Sequence, residues 1–82
     1  MTADPDLPPG LPGEIIVHLD VLLARRKVRS KELADRIGVS EQALSMIKTG
    51  KIKGIRFSTL IAICDALDCQ PGELFEFRRL PD

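Results

Sequence analysis

The run SKELADRIGVSEQALSMIKTG, from Ser30 to Gly50, leaves this chain few ways to fold. Leu33, Ala34 and Ile37 fall at i, i+1 and i+4, so they share one face of a helix. Gly38 breaks the pattern at a point where a residue with positive φ costs little. Val39 keeps the turn apolar. Ser40 is a good N-cap, and Glu41 follows in the first turn, where the helix dipole favours an anion. Leu44 and Ile47 then renew the apolar stripe, and Gly50 supplies the C′ stop. The spacing therefore predicts helix, turn, helix, with the two apolar faces turned towards each other.

Charge is informative in its distribution. The 82 residues sum to zero, which alone argues against a nucleic-acid binder. Yet residues 25–56 hold ten lysines and arginines against Glu32, Asp35 and Glu41, a local charge of +7. The acidic excess lies on either side, in residues 1–24 and 57–82. A basic cluster on and around one motif is the electrostatic footprint of a DNA reader.

The Ser30–Gly50 run resembles the helix-turn-helix of the Cro/C1 repressor-like family. That family asks for Ala on the first helix, Gly four residues later, and apolar residues around them and six and nine positions after the Gly. Leu33, Ala34, Ile37, Gly38, Val39, Leu44 and Ile47 meet each demand. The flanks VLLARRKV and RFSTLIAICDALDCQPGELFE are also similar to the family, so the likeness spans roughly Ile16 to Phe77. It implies an all-α, lambda-repressor-like bundle of about five helices. It is nearest to a small subgroup with an apolar strand before the first helix. Short N- and C-terminal strands would pair with each other, within one chain or across a dimer. One departure stands out: where related sequences cap the second helix with Ser or Thr, this chain has Arg29, and Ser30 can cap one residue later.

The rest of the chain fits around the motif. Residues 1–13 hold four prolines and two glycines, read as a disordered tail ahead of a single domain over residues 14–82. Glu14 to Leu19 is rich in β-branched residues and predicts a short strand, with His18 as a surface imidazole. Asp20 is the expected cap of a first helix over Val21–Val28, with the Arg26 stem laid on the core. Ser58 is the expected cap of a fourth helix, Thr59–Leu67, whose Leu60, Ile61, Ile63, Cys64 and Leu67 should lie largely in the core. Pro71 can open a short last turn, and Leu74–Phe77 can form a second strand.

No enzyme constellation is present: no nucleophile elbow, no P-loop, no metal-ligand cluster. Cys64 and Cys69 are five apart and sit in an apolar helical context, so they read as small hydrophobes rather than metal ligands. No cofactor, small-molecule ligand, signal peptide or membrane span is expected, and reduced thiols suit the cytoplasm. The expected function is a sequence-specific DNA-binding transcriptional regulator, a repressor by resemblance, that works as a homodimer on double-stranded DNA. Its third helix, Ser40 to Thr49, would enter the major groove. The base-reading candidates are Glu41, Gln42, Ser45, Met46 and Thr49. The phosphate candidates are Ser30, Lys31, Ser40, Lys48, Lys51 and Lys53. The alternative is a protein-interaction module, such as an antitoxin or the partner of another regulator.

Overall fold

A computed structural model describes residues 10–80. Along the chain come β1 (Gly13–Val17), α1 (Leu19–Arg26), α2 (Ser30–Ile37), α3 (Glu41–Lys48), α4 (Phe57–Leu67), α5 (Pro71–Leu74) and β2 (Phe75–Arg79). The five helices were legible in the sequence; the fold is not strictly all-α, because β1 and β2 form an antiparallel two-stranded sheet. The register pairs Ile15 with Phe77 and Val17 with Phe75. In the single chain the two strands pair with each other, the first of the two alternatives that the sequence left open. The first nine residues of the expected tail lie outside the described residues, but Gly13 belongs to β1 and the Leu80 N–H donates to the Pro12 carbonyl at 2.9 Å.

Every helix contributes to one core. Leu19, Leu22 and Leu23 come from α1, Leu33 and Ala34 from α2, Leu44 and Ile47 from α3, Ile63 and Leu67 from α4, and Leu74 from α5. No buried polar or charged residue interrupts it among the described residues. Each buried leucine contributes about 1.5–3 kcal/mol of apolar transfer. That term holds the short helices, since eight residues are too few to be stable alone.

The structure moves three helix starts. α1 begins at Leu19, so Asp20 sits in its first turn and is not its cap. His18 takes the cap position because β1 ends at Val17 and the His18 N–H is held by the Leu74 carbonyl at 2.8 Å. Its imidazole stays at the surface as expected, where Nε2 lies 2.7 Å from Glu76 Oε1 and ties the start of α1 to β2. α2 starts after Arg29, which makes no side-chain cap, and Ser30 is its first residue, not its cap. α4 begins two residues before the expected point, at Phe57, with Arg56 at the cap position and Ser58 inside the first turn. Only Ser40 caps as expected, its Oγ accepting the Ala43 N–H at 3.0 Å.

α4 also differs in burial. Ile63 and Leu67 enter the core and Leu60 and Cys64 lie against it, but Ile61 is 67% exposed. Eleven residues of helix present more apolar surface than one side can bury here. The guanidinium of Arg26 finishes this helix: its Nε donates to the Leu67 carbonyl at 2.7 Å and its Nη2 to that of Asp68 at 3.1 Å. Its stem therefore delivers a cation to the C-terminal carbonyls of α4, where the dipole favours one.

Cys69 is buried beside Cys64, and burial first, then the neighbouring thiol, pushes its pKa from 9.0 up to about 11. A group whose folded pKa is raised favours the fold below the unfolded value. Stability should therefore fall as the pH climbs from about 9 towards about 11, because the unfolded chain loses that proton first. At neutral pH, a thiol reagent should label half-buried Cys64 well before Cys69, with Cys69 reacting only as the chain opens. Equal labelling rates, followed by mass spectrometry, would contradict this.

Candidate nucleic-acid interface

The turn between α2 and α3 is built by backbone geometry. Gly38 adopts φ 78°, the left-handed region, and its N–H donates to the Ala34 carbonyl at 2.9 Å. The next N–H, from Val39, reaches the same carbonyl at 3.0 Å. Ala34 is fully buried, and its lack of side chain beyond Cβ lets α3 cross closely. With Leu44 and Ile47 turned inward against α2, the opposite face of α3 is fixed in direction.

That outer face carries Glu41, Gln42, Ser45, Met46 and Thr49, all exposed. At 100° per residue they span a single arc away from the core. Four have no side-chain hydrogen-bond or ion-pair partner among the described residues. The Thr49 hydroxyl donates back to the Ser45 carbonyl at 3.0 Å, so only its acceptor side and methyl face outward. Ser40 is occupied as the cap of α3, its backbone remaining at the mouth of that helix.

The basic residues divide into two sets. Lys48 is partly buried: its Nζ donates to Ser30 Oγ at 3.0 Å and lies 3.1 Å from Asp20 Oδ1. One ammonium thus joins α1, α2 and α3, and the two expected phosphate contacts, Ser30 and Lys48, are partners of each other. Arg36 is likewise engaged, with the Ala66 carbonyl at 3.2 Å and with Glu32 at 3.2 Å. Lys31, Lys51 and Lys53 stand exposed. The loop bearing the last two is pinned by half-buried Ile52 and Ile55. These share with Val39, Met46 and Thr59 a shallow groove of about 300 Å³ beside α3. Lys51 and Lys53 are thereby held next to the outer face of α3.

Arg29 was missed as a candidate. It is exposed at the N-terminus of α2 and makes no side-chain cap. A cation there is unfavourable for the helix dipole on its own, and an anion brought to that helix end would reverse the sign. The signal was visible as an arginine standing where a capping residue was expected. No group of three metal-ligating side chains occurs among the described residues, and no helix there is long and apolar enough to cross a membrane.

Three likenesses to known proteins bear on the chain. The sequence profile of the Cro/C1-type HTH DNA-binding domain matches residues 18–79. A relative from Bacillus subtilis (strain 168), the uncharacterized HTH-type transcriptional regulator YozG, is 53% identical over 64 residues, which cover 78% of this chain and 76% of the relative. The crystal structure of the transcriptional regulator VanUg superposes with a TM-score of 0.68 over 92% of this chain and 99% of that one. At 24% identity, that last likeness speaks to the fold.

Proposed function

The chain belongs to the Cro/C1-type helix-turn-helix DNA-binding family and is a DNA-binding transcriptional regulator; we propose that it reads its site with the outer face of α3 and grips the backbone from both ends of the motif. The observation that carries this reading is the exposed arc of Glu41, Gln42, Ser45, Met46 and Thr49 on a helix locked from behind. In the major groove, Gln42 pairs two ways with adenine, Glu41 accepts from a cytosine amine, and Met46 touches a thymine methyl. Ser45 and the acceptor side of Thr49 extend the arc.

Lys51 and Lys53 hold phosphates on one side, and Lys31 with Arg29 at the start of α2 on the other. The Ser40 end of α3 adds backbone N–H groups. Ser30 and Lys48 have a different share in this reading. Their mutual contact holds α3 to α2, and the ion pair with Asp20 leaves Lys48 less charge to offer a phosphate. Two copies on a two-fold axis double the bases read, which one small module needs for useful specificity. Free Cys64 and Cys69 suit the reducing cytoplasm, and a repressor is the role that the likeness to the Cro/C1 family suggests.

Salt dependence tests the phosphate side. Affinity for a duplex should fall with salt at a log–log slope of about −0.9 for each phosphate neutralised. Lys51→Ala and Lys53→Ala should each flatten that slope by about one unit, whereas Lys48→Ala should flatten it by less. Equal slopes for the wild type and both loop variants would remove the loop from the interface. Absence of any shift with random duplex at low salt would favour the protein-interaction module instead.

A further inference from the structure

Resting on the homodimer reading above, we propose that the two copies meet through α4, packed antiparallel across a two-fold axis at Ile61, with each Phe57 seated in the groove between α4 and α5 of the other copy. Phe57 is 80% exposed and Ile61 67%, the two most exposed large apolar residues among those described. They lie at i and i+4 on one stripe, and Cys64 and Asp68 continue it at i+7 and i+11. Phe57 and Ile61 also help to line an open, mostly apolar groove of about 390 Å³, whose other lining residues are Leu60, Cys64, Cys69, Gln70 and Pro71. The patch therefore carries both a projecting ring and a hollow in which such a ring fits.

A second copy of this chain is the occupant because the patch is complementary to itself. Antiparallel packing about Ile61 places Phe57 opposite position 65 of the other copy, at the Cys64–Pro71 end of its groove. The charges obey the same symmetry. Arg56 stands at the N-terminal end of the stripe, and exposed Asp65 and Asp68 stand at the C-terminal end. A two-fold axis turns one patch with a plus end and a minus end into two opposite-charge pairs, and it opposes the two helix dipoles.

The rival apolar surface lacks this property. On the sheet, Ile15 and Phe77 are 57% and 54% exposed, but Arg79 already covers the Phe77 ring at 5.5 Å and Lys53 borders the adjoining groove. Doubling that face on a two-fold brings cations together. Pairing through α4 also leaves the outer face of α3 untouched. It sets the basic loop of each copy, which runs directly into α4 at Arg56, next to the axis. An eleven-residue helix face is small against the roughly 800 Å² per partner of a standard interface, so the free dimer is a weak one that a shared DNA site completes.

Sedimentation equilibrium of the full chain across the micromolar range, without DNA, tests this. The wild type should show a monomer–dimer equilibrium. Phe57→Asp and Ile61→Asp should each weaken it about thirtyfold or more while circular dichroism and thermal melts stay those of the wild type, since both side chains face solvent. Phe77→Asp should leave it unchanged. Arg56→Asp should weaken the dimer, and adding Asp65→Arg to it should restore the dimer. As a gain-of-signal test, Ile61→Cys in a Cys64→Ser/Cys69→Ser background should form a disulfide-linked dimer on mild oxidation. A wild-type dimer that ignores Phe57→Asp and Ile61→Asp, or dissociates with Phe77→Asp, overturns the α4 interface and leaves the homodimer standing. A wild-type chain that stays monomeric throughout overturns both, and leaves DNA reading by α3 as it was.

Discussion

Leu44→Ala should remove about 2–5 kcal/mol of stability and lower the melting temperature by roughly 10–30 °C. Leu44 has no solvent exposure and is the contact through which α3 is held against α2 and the rest of the core. Truncation deletes its transfer energy and leaves a cavity, because the turn at Gly38 and the Ser40 cap hold both helices where they are. A domain of this size has a total stability of about 4–12 kcal/mol, so the variant sits close to unfolding at physiological temperature. DNA binding should be lost with it, since the outer arc of α3 takes its direction from the residues packed behind it. Met46→Ala is the matched control. Met46 lies on the same helix but is 42% exposed, and its removal should cost well under about 1 kcal/mol. Thermal melts of the two variants side by side decide the point. Similar melting temperatures would mean that α3 is not anchored through Leu44.

How much of this was legible beforehand follows from which forces act locally. Gly38, Ser40 and the Leu33–Ala34–Leu44–Ile47 set speak through short-range spacing, and the α2–turn–α3 unit came out with nearly the expected bounds. The helix starts at α1 and α4 did not. Asp20 and Ser58 are better cappers than His18 and Arg56, but tertiary context overrode the preference: the Leu74 carbonyl holds His18, and Leu19 must enter the core as the first helical residue. The partners of Lys48 were invisible for the same reason. Asp20, Ser30 and Lys48 are far apart in sequence, and only packing of α1, α2 and α3 brings them within 3.1 Å. The outward arc of α3 was legible because what is left outward on an amphipathic helix is fixed once its inward residues are known. The exposed Phe57–Ile61 stripe was not, since an apolar run gives no sign of which part exceeds what the core can cover.

Gln42→Ala should reduce affinity for the preferred duplex by about 1–3 kcal/mol, roughly five- to 150-fold, and relax the preference at a single base pair. Gln42 is exposed in the first turn of α3, near the end that the proposed docking puts into the groove. Its amide can donate to and accept from adenine at once, so truncation both deletes two hydrogen bonds and leaves the base edge unsatisfied. The loss should therefore depend on sequence. On random duplex, where phosphate contacts dominate, the variant should bind as the wild type does and with the same salt slope. Lys51→Ala should show the reverse pattern, a similar loss on every duplex together with a flatter slope. Because Gln42 takes no part in the core, the two proteins should melt alike, which separates recognition from folding. Selection of bound sequences from a random pool, run in parallel for the wild type and for Gln42→Ala, reads out the relaxed position directly. A uniform loss across all sequences would make Gln42 a backbone contact, and the reading of adenine would then fall to another residue on the same arc.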